Sequence, residues 1–444
     1  MRIQLSDHFS YGKLMKFTLP SIAMMIFTSI YGVVDGFFVS NFAGKAPFAA
    51  VNLIFPVLML MGTVGFMFGT GGTALVAKTY GEGDRARANR IFSLLVYVAF
   101  VIGVVLALLG IFLARPIAQA LKAEGELLEN CVVYARIILA ALPFYMLQVM
   151  FQSFFVAAEK PQLGLYTTIA SGASNMVLDA VLVILLPHEL KLAGAAIATA
   201  VAQTVGGVVP LIYFFRENNS VLRLGKTTFD GKAILKACAN GSSEFMSNIS
   251  MSLVGILYNL RLMKYAGENG ISAYGVMMYV SMIFAAVFVG FSIGLSPVIG
   301  YHDGAQNYRE LKSLRKKSLT LIGIFGVTMV VSAELLAAPL ARIFVGYDAE
   351  LLEMTIFGFR IFALSFGFMG FGIFASGFFT ALNDGLTSAL ISFLRTLLFQ
   401  SAAIMLLPMI WEINGIWISV VVAESMSLVL GTVFLIAKRK KYHY

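Results

Sequence analysis

Apolar stretches of about 20 residues or more recur along the whole chain, near 14–41, 48–77, 91–114, 130–157, 164–187, 193–215, 235–263, 272–300, 317–338, 354–380, 387–409 and 415–437. At a rise of about 1.5 Å per residue, a helix of that length crosses the roughly 30 Å of hydrocarbon in a bilayer. Twelve such stretches predict an all-α polytopic membrane protein rather than a globular enzyme with one anchor. Composition agrees: 59% of the 444 residues are hydrophobic and 12% charged, whereas soluble domains carry about 25% charged residues. The first stretch is too long for a cleavable signal and leads into further spans.

Lysine and arginine set the expected orientation. Of the 32, 22 fall in the N-terminus, the alternate loops on its side and the C-terminus, from Arg2, Lys13 and Lys16 to Lys438–Lys441. Seven fall in the other loops, Lys45 among them, and three (Arg136, Arg360, Arg395) fall within spans. An excess in short loops marks the cytoplasmic side, so both termini of this multi-pass cell-membrane protein are expected in the cytoplasm. The basic clusters then act as orientation signals, and the net charge of +9 does not point to nucleic acid.

The two halves resemble each other at a spacing of about 220 residues. YARIILAALPFYMLQVMFQSFFVAAEKP from Tyr134 aligns without a gap with GFRIFALSFGFMGFGIFASGFFTALNDG from Gly358, pairing Arg136 with Arg360 and Phe154-Phe155 with Phe378-Phe379. The loop TYGEGDRARANR matches YHDGAQNYRELK. Six spans per repeat return the chain to the same side, so the repeats are parallel and related by an axis along the membrane normal. The expected organisation is twelve transmembrane helices in two pseudo-symmetric six-helix lobes. These are residues 1–215 and 235–444, joined by a polar, basic linker at 216–234.

Against this apolar background one carboxylate stands out. Asp35 sits in FTLPSIAMMIFTSIYGVVDGFFV, a run otherwise without charge. A charged side chain in hydrocarbon costs roughly 2.5–3.5 kcal/mol even on insertion scales, so it persists where it faces a polar interior or holds a proton or ion. Counting along spans that run outward or start outside places Asp35, Asp179 and Thr199 at similar depth below the outer surface. Asn175 lies four residues before Asp179 and so shares its face. Asp35, Asn175, Asp179 and Thr199 are all oxygen donors, the type hard cations take. Two close acids cannot both stay ionised in low dielectric without a cation between them, so the group is read as an H+ or Na+ site.

Other polar residues within spans are Glu244, Arg395, Glu424 and Gln203, the last two at equivalent repeat positions. They are candidates for a central substrate cavity, and Glu244 is expected to pair with Arg395. Abundant Phe (38) and Met (22) suit such a cavity or a lipid-facing surface. Pro20, Pro143 and Pro297 are expected kinks, with Pro20 a candidate hinge. The four histidines (His8, His188, His302, His443) are expected in loops or tails, and Cys131 and Cys238 at opposite faces, unpaired. Neither H-E-x-x-H nor G-x-x-x-x-G-K-[ST] occurs, so no enzyme, cofactor or resident metal is expected.

The chain resembles the MATE (multidrug and toxic compound extrusion) family over essentially its whole length. The resemblance rests on Leu19-Pro20 followed by Asp35, GTGGTALVAKTYGEGDRARA, Asn175-x-x-x-Asp179, GAAIATAVAQ and FSIGLSPVIGYHDGAQNYRELK. SSEF at Ser242–Phe245 is similar to the MepA-like branch. The resemblance implies a central cavity that alternates between sides and export of organic, often cationic, small molecules against an inward H+ or Na+ gradient. It also implies a cation site at Asp35, Asn175, Asp179 and Thr199 and a bending span around Pro20. A monomer in contact with membrane lipid is expected. The rival reading is a lipid-linked saccharide flippase, whose cavity would carry several arginines where this chain offers Arg395.

Overall fold

A computed structural model describes residues 3–444, apart from the side chains of Phe37, Ser40, Asn41 and Lys45. Arg2, counted above on the N-terminal side, lies outside the described residues, as does the side chain of Lys45. Among the described residues the chain is helical almost throughout and contains no strand. All twelve stretches are helical, but they are not twelve straight helices. The first half holds α1 (Tyr11–Phe38), α2 (Lys45–Gly81), α3 (Arg85–Ala120), α4 (Gly125–Ala140), α5 (Leu142–Ala157), α6 (Pro161–Leu185) and α7 (Lys191–Phe215). The second holds α8 (Gly231–Gly304), α9 (Tyr308–Val345), α10 (Ala349–Ala363), α11 (Phe366–Ala381), α12 (Gly385–Phe393), α13 (Gln400–Leu406), α14 (Pro408–Ala437) and the short α15 (Arg439–Tyr442).

The departures from straightness follow the repeat. The fourth span is α4 and α5, bent by 55°, and the tenth is α10 and α11, bent by 47°. Pro143 sits in the first turn of α5, where its missing N–H costs least. The second half bends at the matching place, next to Ser365, with Gly367 where the first half has proline. Spans seven and eight are two helices, both within the range of α8, that are separated by a break at Gly267 (φ 59°, ψ −150°). A side chain is disfavoured at that φ, which glycine tolerates. The eleventh span passes through a π-helical turn, Leu394–Phe399, between α12 and α13. Pro20 and Pro297 lie inside α1 and α8, and neither helix is interrupted at its proline.

The halves meet tightly near the end that carries both chain termini. Gly71 and Gly241 remove the side chains where α2 crosses α8: a Cβ on Gly71 would lie 2.1 Å from the Ala237 carbonyl, and one on Gly241 2.0 Å from that of Met67. The GTGG glycines are therefore a packing device, as glycines in membrane helices commonly are. Lys78 Nζ bridges to Asp303 at 2.8 Å across the same junction. Ahead of α1, residues 3–10 form a strap over this end. The Leu5 N–H donates to Glu159 in the first half, and the Phe9 N–H to Glu310 in the second, each at 2.9 Å. His302, expected in a loop, lies on the last turn of α8, beyond the apolar stretch, and is buried under this strap. The linker packs on α3: Arg223 N–H donates to Asn89 Oδ1 at 2.7 Å and Gly225 N–H to Ser93 Oγ at 3.0 Å. Its last expected residues, 231–234, already belong to α8. Cys131 and Cys238 are free thiols.

Candidate functional site

The four residues picked out by depth come together. α1 is drawn against α6 at Gly172, where a Cβ would lie 2.5 Å from the Phe27 ring and 2.9 Å from that of Tyr31. One turn beyond Tyr31 on α1 is Asp35, and further along α6 are Asn175 and Asp179. α7 closes the third side, held to α6 by Ser171 Oγ donating to the Ala202 carbonyl at 2.7 Å. Across this junction Asn175 Nδ2 donates to Thr199 Oγ1 at 3.4 Å, and Thr199 Oγ1 donates to Asp35 Oδ1 at 3.3 Å. The Asp35 and Asp179 carboxyl groups are within hydrogen-bonding reach of each other. Asp179 is 0% exposed and Asn175 1%, while Asp35 is half-buried.

The oxygens left over decide what this cluster can do. Both carboxyl oxygens of Asp179 and Oδ1 of Asn175 are buried, with no donor among the described residues. Buried acceptors of this kind are rare and costly. Two carboxyl groups in contact also repel when both are ionised. A shared proton or a desolvated cation removes both problems, and the all-oxygen donor set suits a hard cation. Tyr134 on α4, buried and within electrostatic reach of both acids, walls the cluster from the side. It lies in the aligned repeat segment, two residues before Arg136, but its apolar neighbours gave no sign of this role.

A second site is a cavity of about 530 Å³ lined from both halves: Met25 and Ser29 of α1, Phe66 and Thr70 of α2, and residues of α8 and of α10 through α14. Glu244, Arg395 and Glu424 line it as expected. Gln203, on α7, does not, because the cavity draws its wall from the second half's last span and not from the first half's. None of Asp35, Asn175, Asp179 and Thr199 lines it either. The expected Glu244–Arg395 pair is also replaced. Arg395 donates from Nε to Glu424 Oε2 and from Nη2 to Glu424 Oε1, both at 2.9 Å. The π-helical turn that contains Arg395 packs against both α8 and α14, and the guanidinium takes its partner from α14. Glu244 is left with no ion pair or side-chain hydrogen bond among the described residues.

A bundle of twelve helical spans in two repeats, with acids held inside the membrane stretch and a cavity between the halves, has the architecture of a membrane transporter. The chain belongs to the MatE family, whose model matches residues 20–181 and again 245–405. The two matches retrace the internal repeat. Among curated relatives, Multidrug export protein MepA of Staphylococcus saprophyticus is 24% identical over 405 residues, covering 91% of this chain and 87% of that protein. MepA of Staphylococcus haemolyticus is 24% identical over 439 residues, covering 97% and 94%. Among solved structures, an outward-facing conformation of a multidrug resistance MATE family transporter of the MOP superfamily superposes with a TM-score of 0.92 at 20% identity, covering 98% of this chain and 97% of that one. A MATE in complex with MaL6 gives 0.91 at 20% identity, again covering 98% and 97%.

Proposed function

We infer that this chain exports organic cations across the cell membrane in exchange for H+ or Na+. The reading takes residues 1–215 and 235–444 as two lobes that rock about the central cavity, with both termini in the cytoplasm. One observation carries it: an acid pair with unmet buried oxygens lies in the first lobe, separate from the cavity in which Glu244 offers an uncompensated carboxylate. Two separate places of this kind suit antiport. Cation and drug then influence each other by favouring different states of the same protein rather than by contact.

In the cycle, the present arrangement is outward-facing: the end bearing the termini is sealed, and the chain superposes on a relative described as outward-facing. H+ or Na+ enters through half-buried Asp35 and neutralises the Asp35–Asp179 pair. Loading favours the inward-facing state and lowers drug affinity, so drug leaves to the outside. Cytoplasmic drug binds next, among Met and aromatic side chains and near Glu244, and cation release resets the cycle. The flippase reading loses its main support, because Arg395 is neutralised by Glu424 and is not free to hold a pyrophosphate.

The test is ethidium efflux from proteoliposomes with an imposed pH or Na+ gradient. Wild type is expected to export under one gradient or both, and Asp35→Asn and Asp179→Asn to lose export at least tenfold while staying folded. Wild-type rates in both variants would refute the coupling role.

A further inference from the structure

We propose that Glu424 sets the charge selectivity of the cavity by masking Arg395, leaving Glu244 as its one uncompensated charge, so that it takes organic cations over anions. This rests on the export reading above and adds what decides which drugs are accepted.

Among the described residues that line the cavity, three carry formal charge: Glu244, Arg395 and Glu424. Their sum is −1 when all are ionised. The distribution matters as much as the sum. Glu424 is 1% exposed and spends both carboxylate oxygens on Arg395. The Arg395 side chain is 14% exposed, so the guanidinium is the partner a ligand can reach. Arginine has five N–H donors, and two are used here. The wall therefore offers hydrogen-bond donors without a net positive charge. Glu244 lies on the same cavity with nothing opposite it.

The surroundings are shaped for this pair. Gly372 lets the arginine pass: a Cβ there would lie 2.8 Å from Arg395 Cδ and 2.4 Å from Ser427 Oγ. The arginine stands on the π-helical turn Leu394–Phe399, and such turns are frequent at functional sites. Nor does holding these two helices together require a charge pair. At the matching places of the first half stand Ser171 and Gln203, where a hydroxyl-to-carbonyl bond from Ser171 to Ala202 joins the helices instead. A buried ion pair is a weak source of stability because both charges must be desolvated. Its presence in the half that forms most of the cavity wall is accounted for by what it does to ligands.

The test is a charge ladder read at alkaline pH, where all three groups are ionised, by equilibrium dialysis of the purified full-length protein with two ions of nearly equal bulk, tetraphenylphosphonium and tetraphenylborate. Wild type, at −1, is expected to favour the cation. Glu424→Gln brings the sum to zero, and the cation-to-anion binding ratio is expected to fall at least tenfold. Arg395→Gln with Glu424→Gln returns the sum to −1 and is expected to restore the ratio to within threefold of wild type. Glu244→Gln with Glu424→Gln gives +1 and is expected to favour the anion. Should Glu424→Gln fail to fold with its arginine unpaired, Arg395→Gln reads the mask from the other side. At −2 it is expected to bind the cation at least tenfold more tightly, and unchanged binding there overturns the proposal. An unaltered ratio in Glu424→Gln, or a doubly neutral variant that binds but does not recover the ratio, likewise overturns it and leaves the export reading standing. Wild type that neither binds nor exports the cation refutes both.

Discussion

Gly81 and Gly304 occupy matching places in the two repeats, and each lies against the backbone of the other's helix. A Cβ on Gly81 would sit 2.0 Å from the Tyr301 carbonyl, and one on Gly304 2.0 Å from the Lys78 carbonyl. Tyr301 and Lys78 are themselves repeat equivalents. The contact is thus the pseudo-twofold axis written in four residues. It seals the end bearing the termini by bringing backbone to backbone, with Lys78–Asp303 alongside.

Alanine at both glycines should therefore pry this end open. Backbone atoms cannot swing aside as a side-chain tip does, so the helices must part or strain by an overpacking cost of about 1–3 kcal/mol. With Cys131 and Cys238 replaced, spin labels at Glu82 and Gln306 should report a longer mean distance in Gly81→Ala/Gly304→Ala than in the parent. An unchanged distance distribution would show that the seal does not depend on this approach.

The strap gives a second expectation. Glu310 accepts the Phe9 N–H and pairs with His8 at 2.7 Å, and Lys317 donates to the Phe9 carbonyl. Glu310→Gln keeps the volume and loses the charge, so the strap should loosen by about 1–3 kcal/mol, the cost of weakening bonds to a charged group. Burial pushes the His302 imidazole below its ordinary value. Its folded value is thus the lower one, and the neutral ring favours the docked strap. That contribution is intact above the unfolded value of about 6.5 and is lost as pH falls below it. After correction for intrinsic exchange, the Leu5 and Phe9 amides should lose protection on acidification, and less so in His302→Gln. Equal pH dependence in both proteins would remove His302 from the account.

Much of this was readable from residues alone, and the boundary is instructive. Spans and repeat came from hydrophobic length and from aligned loops, which act along the chain. The Asp35, Asn175, Asp179 and Thr199 group came from depth plus the i, i+4 rule, which together fix height and face on one helix. Arg395 shows where that stops. Glu244 and Glu424 were both available to it, and depth carries no information about which way a residue points around its helix. The side-chain direction that settles the matter has no local sequence mark. The strap was hidden for another reason: its contacts are backbone N–H groups of Leu5 and Phe9, and any residue offers those. Gly267 was visible as glycine, but its place at the break between spans seven and eight depends on a φ that sequence does not display.

Gly372 offers a check on the cavity wall that leaves its charges untouched. In Gly372→Ala the new methyl group overlaps Arg395 and Ser427, so one of them must move by a few tenths of an ångström or more. Drug export is expected to weaken several-fold, while Gly370→Ala, which meets Phe288 and Ile322 in the core, should act through stability. Comparing export per folded molecule, by fluorescence-detected gel filtration alongside efflux, separates the two. Equal losses after that normalisation would count against a special role for Gly372.

Thr199 is the link that joins α7 to the acid pair, since its hydroxyl accepts from Asn175 and donates to Asp35. Thr199→Val preserves shape and removes both bonds, leaving Asn175 and Asp35 each short of a partner at a combined cost of about 1–3 kcal/mol. The damage should fall on cation use rather than on drug binding, because the cavity wall contains none of these residues. Efflux at saturating drug is then expected to need a five- to tenfold higher concentration of the driving cation, with drug half-saturation little changed. Thr199→Ser, which keeps the hydroxyl, should stay within about twofold of wild type. If Thr199→Val instead shifts drug half-saturation and leaves the cation requirement alone, the cluster and the cavity are not the separate sites drawn here.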